Sequence, residues 1–409
     1  MSLLPVSEAL ERILATFTPL ETTYVPLKDA VGRVLAEEIV SATDLPLFDN
    51  SSMDGFAVIA SDVLEARSAT PISLPVVDDI PAGLMPTHHL QPGEAARIMT
   101  GAPLPAGADA VVPVEETDFN SREKGAALPE TVQIFKAAQV GANIRKRGSD
   151  IRRGDSILPK GLRLRAQDLG MLAMLGIADV PVIRKPRIAL LSSGDELTPI
   201  GEPLGAGKIY DVNSYTLGAM LAANGCDIIE LGVAADTPEA VKAALAKAKN
   251  ADLIVSSAGV SMGSFDFIKD IIEKDGELNF WRINMRPGKP LTFGHYQNLP
   301  FIGLAGNPVS AFIGFMVFVR PVIAKMTGND SEDRQLIRVQ LAEPLTSDGR
   351  ESYLRARVTR ENGVLRAYLT GHQGSGNLFS MVQANALLII PAGVKSLSVN
   401  AEVNAWMLS

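Results

Sequence analysis

The feature that most constrains the fold is a repeated unit, an apolar run followed by small or charged residues and then a helical pattern, recurring from Arg187 to Val319. In the central copy, Leu253, Ile254 and Val255 form a short continuous apolar run, as a parallel strand covered on both faces requires. Ser256 to Gly263 then supplies serines, glycines and an alanine ahead of Asp266, residues that let backbone N–H groups approach an anionic ligand at a helix start. Alone, such a loop is an ordinary tight turn. Its neighbours change its weight. Arg187 to Leu191 runs into Ser192-Ser193-Gly194-Asp195-Glu196-Leu197. Asn213 is placed as an N-cap for a helix through Leu217, Met220 and Leu221 that stops at Gly225. The strand Ile228 to Leu231 leads to Asp236, to Thr237 as N-cap and to Pro238 at the first position of the helix Glu239 to Lys249. A helix around Phe267 to Ile272 precedes a strand near Phe280 to Ile283 and the run Met285 to Pro290. A last strand, Phe301 to Leu304, enters Asn307 and a long apolar helix.

This order predicts a parallel sheet with crossover helices, and in such sheets ligands bind beyond the carboxyl ends of the strands. Those ends carry Asp195, Glu196, Asp236, Asp266, Arg282, Arg286, Lys289 and Asn307. Cations there can hold oxyanions by charge-assisted hydrogen bonds. The carboxylates cannot bind an anion directly and would need a cation between. The bland alternative is a network of surface ion pairs, and repetition of charge at successive strand ends argues against it.

Around this core, Ser7 to Phe17 reads as a helix, Ala30 to Glu37 as a second, and Ala166 to Gly176 as a third that rejoins them. Phe56 to Ala142 alternates in short runs broken by turns, a β-rich insert. From Leu336 the chain alternates again, with Asn362-Gly363 as a hairpin signal, and reads as a small antiparallel barrel or sandwich. The expected fold is multidomain α/β: a discontinuous helical part over 1–43 and 151–177, the insert over 44–150, the central domain over 178–327 and the C-terminal β-barrel over 328–409.

The net charge of −8 gives no reason to expect nucleic acid or an acidic membrane as partner. The lone Cys226 excludes an internal disulfide and cysteine metal sites. The apolar stretch Val309 to Val319 falls short of the ~20 residues that span a bilayer, and the N-terminus lacks a signal-peptide pattern. A cytoplasmic protein is expected. Adjacent His88 and His89 read as a solvated loop, because neighbouring side chains of an extended chain point opposite ways. Arg145, Lys146, Arg147, Arg152 and Arg153 form a basic cluster whose readings are a solvated surface or, as the functional alternative, nucleic-acid or phosphate binding.

Six stretches together resemble one family. They are Ser192 to Leu197, Ser257 to Asp266, Met285 to Pro290, Gly303 to Ser310, Ser51 to Val58 and Ile98 to Val112, and their order resembles that of the molybdopterin molybdenumtransferase, or MoeA, family, whose relatives include the E domains of gephyrin and of the plant molybdenum insertase. The resemblance implies insertion of molybdate into adenylylated molybdopterin with Mg²⁺-dependent release of AMP, and a homodimer. It implies Asp54, Asp150, Glu196, Asp236 and Asp266 as catalytic, with Glu196, Asp236 and Asp266 toward metal. It implies Thr100, Ser193, Gly194, Asp195, Asn213, Ser261, Gly263, Arg282, Arg286, Lys289, Asn307, Arg355 and Ser375 toward substrate. The adenylyltransferase that makes the intermediate, and molybdoenzymes or their chaperones that take the product, are implied protein partners. Ala258, Ala305, Arg282 and Arg286 depart from the commonest family residues without removing charge. Alternatives are that adenylyltransferase activity itself, which would match only Arg187 to Gly328, a gephyrin-like scaffold, or a molybdate-storage module.

Overall fold

The structure is a computed structural model that describes residues 3–119, 127–257, 267–329 and 336–408. The chain divides into two compact units, one of Met1–Glu37, Lys160–Ala173 and Ile177–Ser409, the other of Glu38–Pro159 with Met174–Gly176.

The first unit is built on a six-stranded sheet of β1 (Arg187–Ser193), β2 (Asp227–Ala234), β3 (Leu253–Ser257), β4 (Gly276–Arg282), β5 (Pro290–Tyr296) and β6 (Leu299–Leu304), in spatial order 2-1-3-6-5-4. β1 pairs in parallel with β2 and β3, and β3 in parallel with β6. β5 runs antiparallel to both β6 and β4. The sequence reading missed β5. Its hairpin to β6 turns at Gln297, with φ 54°, a position that carries no glycine cue.

Strand alternation assigns the two faces. Ile188, Leu190, Leu253, Val255, Ile302 and Leu304 pack with Leu217 and Leu221 of helix α1 (Asn213–Ala223) and with the final helical run. Ala189, Leu191, Ile254 and Phe301 pack on the other face against Val241 and Leu245 of α2 (Pro238–Leu245) and Ile268, Ile271 and Ile272 of α3 (Phe267–Asp275). Each fully buried Ile or Leu contributes about 1.5–3 kcal/mol. Thr237 caps α2 as expected, accepting from the Ala240 N–H at 3.2 Å.

The final run comprises α4 (Pro308–Gly314), a π-helical turn Phe315–Val319 and α5 (Arg320–Thr327). Pro321 cannot donate an N–H, so the regular ladder is interrupted there. The apolar stretch read from the sequence ends at Val319, whereas the helical run continues to Thr327. The whole run is 20 residues with mean hydropathy 1.7, long and apolar enough to cross a bilayer, yet 78% of that window is buried within the protein. It is therefore a core helix.

The first helix is Val6–Leu14, with Ala9 and Ile13 fully buried in the same core. Ala30 to Glu37 is not the helix expected from sequence. A short 3₁₀ turn, Leu27–Asp29, precedes Gly32 at φ 73°, and Val34 and Leu35 then bridge to Arg163 and Val182. Pairing with distant chain overrides the local helical pattern. Thr22–Pro26 and Asp179–Ile183 form an antiparallel ribbon nearby. The C-terminal strands Leu336–Leu341, Glu351–Glu361, Val364–Leu369, Ala386–Ile390 and Glu402–Met407 close into a barrel. Its hairpin turns on Asn362 (φ 49°) and Gly363 (φ 84°), as their adjacency predicts.

The second unit holds a five-stranded sheet in the order Ala110–Pro113, Gly55–Val58, Ala95–Ile98, Ile72–Ile80, Thr131–Ile134. Gly55 opens a strand there: a Cβ would collide with the Val112 carbonyl, so only glycine permits that approach.

Candidate active site

The site is built from the carboxyl end of β1 outward. Gly194 has φ 151°, and a Cβ there would lie 2.8 Å from Glu196 Oε2, so the absence of a side chain lets the Glu196 carboxylate fold back over the strand end. Asp195 and Asp236 clamp the ends of β1 and β2 reciprocally. The Asp195 N–H donates to Asp236 Oδ2 at 3.3 Å, and the Asp236 N–H donates to Asp195 Oδ1 at 3.1 Å. Asp236 is half-buried, and its pKa is raised, first by burial and then by the charges of Asp195 and Glu196, against the Asp195 N–H, which lowers it. Three carboxylates thus crowd one corner. Lys208 donates to the Asp195 carbonyl, and the Ile209 N–H donates to the Glu196 carbonyl at 2.8 Å, which holds a small parallel ribbon of Leu197–Thr198 and Ile209–Tyr210 beside them.

Asn213 does not cap α1; it is the first helical residue, and its Nδ2 donates to the Gly306 carbonyl at 2.7 Å, tying α1 to the end of β6. The group that satisfies the helix start is Asp211, which the sequence reading missed. Its Oδ1 accepts from the Asn213 and Ser214 N–H groups at 3.1 Å each, and its Oδ2 from the Ser214 hydroxyl. Ser214 Oγ lies 2.8 Å from Ser192 Oγ, which lies 3.0 Å from Ser257 Oγ. The signal available was an aspartate two residues before Asn213, at the distance from which a carboxylate reaches a helix's first N–H groups. Ser193 Oγ, Ser256 Oγ and Asn213 Oδ1 are buried with no hydrogen-bond partner among the described residues.

A cationic arm follows β4. Arg282 ends that strand, and Met285–Arg286 pairs with the start of the barrel strand Glu351–Glu361. The loop between them and β5 is closed by the Ile283 N–H donating to the Lys289 carbonyl at 3.0 Å. Gly288, at φ 100°, leaves room for Met285 Cε, which a Cβ would meet at 2.7 Å. Arg286 lies 3.8 Å from Asp348 and lines a cavity of about 220 Å³ with Thr346, Ser347, Ser352 and Gln373. Lys289 is half-buried and makes no ion pair among the described residues.

Asn307 stands at the N-cap of α4 without a side-chain cap bond. The Ser375 carbonyl accepts from the Val309 N–H at 3.0 Å, docking the Gly371 to Asn377 loop on that helix start. Arg355 is fully buried and spends its guanidinium on the loop, donating to Ser380 Oγ at 2.9 Å and to the carbonyls of Gln373, His372 and Gly374. Burial, with the Arg286 charge as a lesser cause, pulls it down to about 10. The expected substrate contact of Arg355 is thus replaced by shaping of the loop that carries Ser375.

Within the second unit, Asp54 and Thr100 are brought together: the Thr100 N–H and hydroxyl each donate to Asp54 Oδ1 at 2.7 Å. Asp150 is paired with Arg145, Lys146 with Asp49 and Arg147 with Asp44. Much of the basic cluster is therefore internally neutralised. His88 pairs with Glu94 at 2.8 Å. Asp266, Ser261, Gly263 and Ala258 lie outside the described residues.

Residues 4–176 match the MoeA N-terminal region (domains I and II), 189–325 a probable molybdopterin binding domain and 338–408 the MoeA C-terminal region (domain IV). A molybdopterin molybdenumtransferase of a Nostoc species is 37% identical over 94% of this chain and 88% of its own length. One from Haemophilus influenzae is 37% identical over 91% of this chain and 90% of its own. The crystal structure of a MoeA protein of molybdopterin biosynthesis from Pyrococcus horikosii superposes with a TM-score of 0.85 at 33% identity, covering 100% of both chains. With its regions matched in order and near-full-length relatives at this identity, the chain belongs to the MoeA family of molybdopterin molybdenumtransferases.

Proposed function

We propose that this protein is a transferase that inserts molybdate into adenylylated molybdopterin, releasing AMP and giving molybdenum cofactor. The observation that carries the reading is the corner of Asp195, Glu196 and Asp236 at the carboxyl ends of parallel strands, where burial and then the neighbouring like charges raise the Asp236 pKa. Crowded carboxylates at a strand-end crevice suit a cation shared with substrate.

Magnesium fits this oxygen-only donor set, since it takes one or two carboxylates and completes its shell with phosphate oxygens and water. Glu196 and Asp236, with Asp266 from the family pattern, would hold it, and its charge would offset that of the phosphoanhydride. The chain's own residues do the rest by position and charge. Arg282, Arg286 and Lys289 hold the oxyanions of molybdate and phosphate. Gly194 and the Asp195–Asp236 clamp keep the Glu196 carboxylate over the strand end. The dithiolene sulfurs that bind molybdenum displace molybdate oxygen, lost as water, and a water molecule cleaves the phosphoanhydride to free AMP, so no protein nucleophile is needed and placement of two anions together is the main contribution.

The protein is further proposed to be a homodimer and to act in the cytoplasm. An adenylyltransferase reading is disfavoured by the family matches on both sides of the central domain. The deciding assay supplies adenylylated molybdopterin and Mg²⁺ with and without molybdate, measures AMP and reconstitutes an apo-molybdoenzyme. Molybdate-dependent AMP release with active cofactor is expected. Adenylylation of molybdopterin from ATP, or binding without turnover, would overturn the reading.

A further inference from the structure

At the ends of β1 and β3, Ser192 and Ser257 are register partners whose side chains face α1, and their hydroxyls continue a chain through Ser214 to Asp211. Asp211, Ser192 and Ser257 are 4%, 0% and 1% exposed. The protons in this chain can be counted. A carboxylate only accepts, so the Ser214 proton points to Asp211. The single Ser192 proton has two acceptors in reach, Ser214 Oγ at 2.8 Å and Asp211 Oδ1 at 3.5 Å, and given to either it leaves the 3.0 Å contact between Ser192 and Ser257 to the Ser257 proton. Ser257 Oγ is left with lone pairs alone. Next to Ser214, Asn213 has its Nδ2 committed to Gly306, and its Oδ1, on a residue 8% exposed, has no partner among the described residues. Both groups are acceptors. A phosphate or molybdate oxygen has no proton to offer them, whereas the aminopyrimidinone edge of a pterin carries amino and amide N–H donors.

We propose, resting on the molybdenumtransferase reading, that Asp211 is a positioning residue that fixes Ser257 Oγ as an acceptor, and that Ser257 and Asn213 Oδ1 recognise the N–H edge of the substrate's pterin ring. The adenylate end and the molybdate are held elsewhere, by the carboxylate corner and the cationic arm.

Asp211→Asn tests this because it is isosteric. Its carbonyl still accepts from the Asn213 and Ser214 N–H groups, while its NH₂ donates to Ser214 Oγ. The hydroxyl chain then reverses, and Ser257 presents a proton. Binding of adenylylated molybdopterin and, separately, of AMP to the full chain is measured calorimetrically without molybdate, alongside thermal melting. Asp211→Asn is expected to weaken adenylylated molybdopterin about tenfold and to leave AMP affinity and the melting temperature unchanged. Ser257→Ala is expected to do the same, and the double variant to be no weaker than Ser257→Ala alone, because Asp211 acts through Ser257. Equal losses for both ligands, additive losses, or a Ser257→Ala variant with undiminished pterin affinity would overturn the assignment. Should Asp211→Asn not fold, Ser257→Ala alone decides. A wild-type chain that binds adenylylated molybdopterin but shows no molybdate-dependent turnover refutes the reaction and leaves the pterin contact standing on these variants; one that binds neither ligand refutes both.

Discussion

The two ends of the central sheet treat charge in opposite ways. At the amino ends of β1 and β3, Arg184 meets Asp252 in a two-pronged pair at 2.7 Å per bond, and the Arg187 N–H adds a third bond to the same carboxylate. Burial alone would raise the Asp252 pKa, but the hydrogen bonds from Arg184 and Arg187 and their charges hold it below the usual carboxylate range. At the carboxyl ends of β1 and β2, Asp195, Glu196 and Asp236 face one another, and Asp236 is pushed up. One edge is satisfied and stabilises the fold; the other is left with unbalanced charge that a substrate and its cation can satisfy. Strain of this kind persists at a site because the surrounding core supports it.

The largest expected effect lies at the carboxyl edge and falls on turnover. Glu196→Ala should lower kcat/KM for molybdate-dependent AMP release by about 100-fold or more, with a melting temperature no lower than wild type. Retained turnover would remove Glu196 from the site. Next comes the amino edge, where Asp252→Asn should cost about 2 kcal/mol of stability, because it leaves the Arg184 fork without its main partner. Denaturant unfolding measures this, and turnover per folded molecule should be unchanged.

The same pair of edges predicts opposite pH dependences. For Asp252, whose folded pKa is depressed, stabilisation is full above the unfolded carboxyl pKa of about 3.9 and is lost as pH falls through the folded value. For Asp236, whose folded pKa is raised, the sign reverses. Its penalty is absent below the unfolded pKa and grows as pH rises through the folded one. Unfolding free energies from pH 3 to 8 for wild type, Asp252→Asn and Asp236→Asn should show the first variant's deficit shrinking toward acid and the second variant's gain appearing only toward neutral. That gain is the smallest effect, about 0.5 kcal/mol at pH 7; a loss there would mean that Asp236 is stabilised by its neighbours.

The elements that position the site were legible where local chemistry is decisive. The apolar runs of β1 and β3, the Thr237-Pro238 helix start and the Asn362-Gly363 turn depend on residues a few positions apart, and each stands where its residues predict. The segment Ala30 to Glu37 failed because its partners, Arg163 and Val182, are far away in sequence. Asn213 was read as a cap from residue type, while Asp211, two positions earlier, had the reach for the helix's N–H groups. Arg355 was placed toward substrate by the resemblance alone, and nothing in the sequence shows that its guanidinium is buried.

By itself the sequence determined that charged residues follow apolar strands again and again, and hence that one edge of a parallel sheet would be polar. It also carried enough ordered motifs to identify the family. Only the tertiary structure decided which charges meet. Asp195 and Asp236 stand 41 positions apart, and Ser192 and Ser257 stand 65 apart. Periodicity and capping act over a turn or two of chain, whereas a pKa shift or a proton's direction depends on whatever the fold brings within a few ångströms.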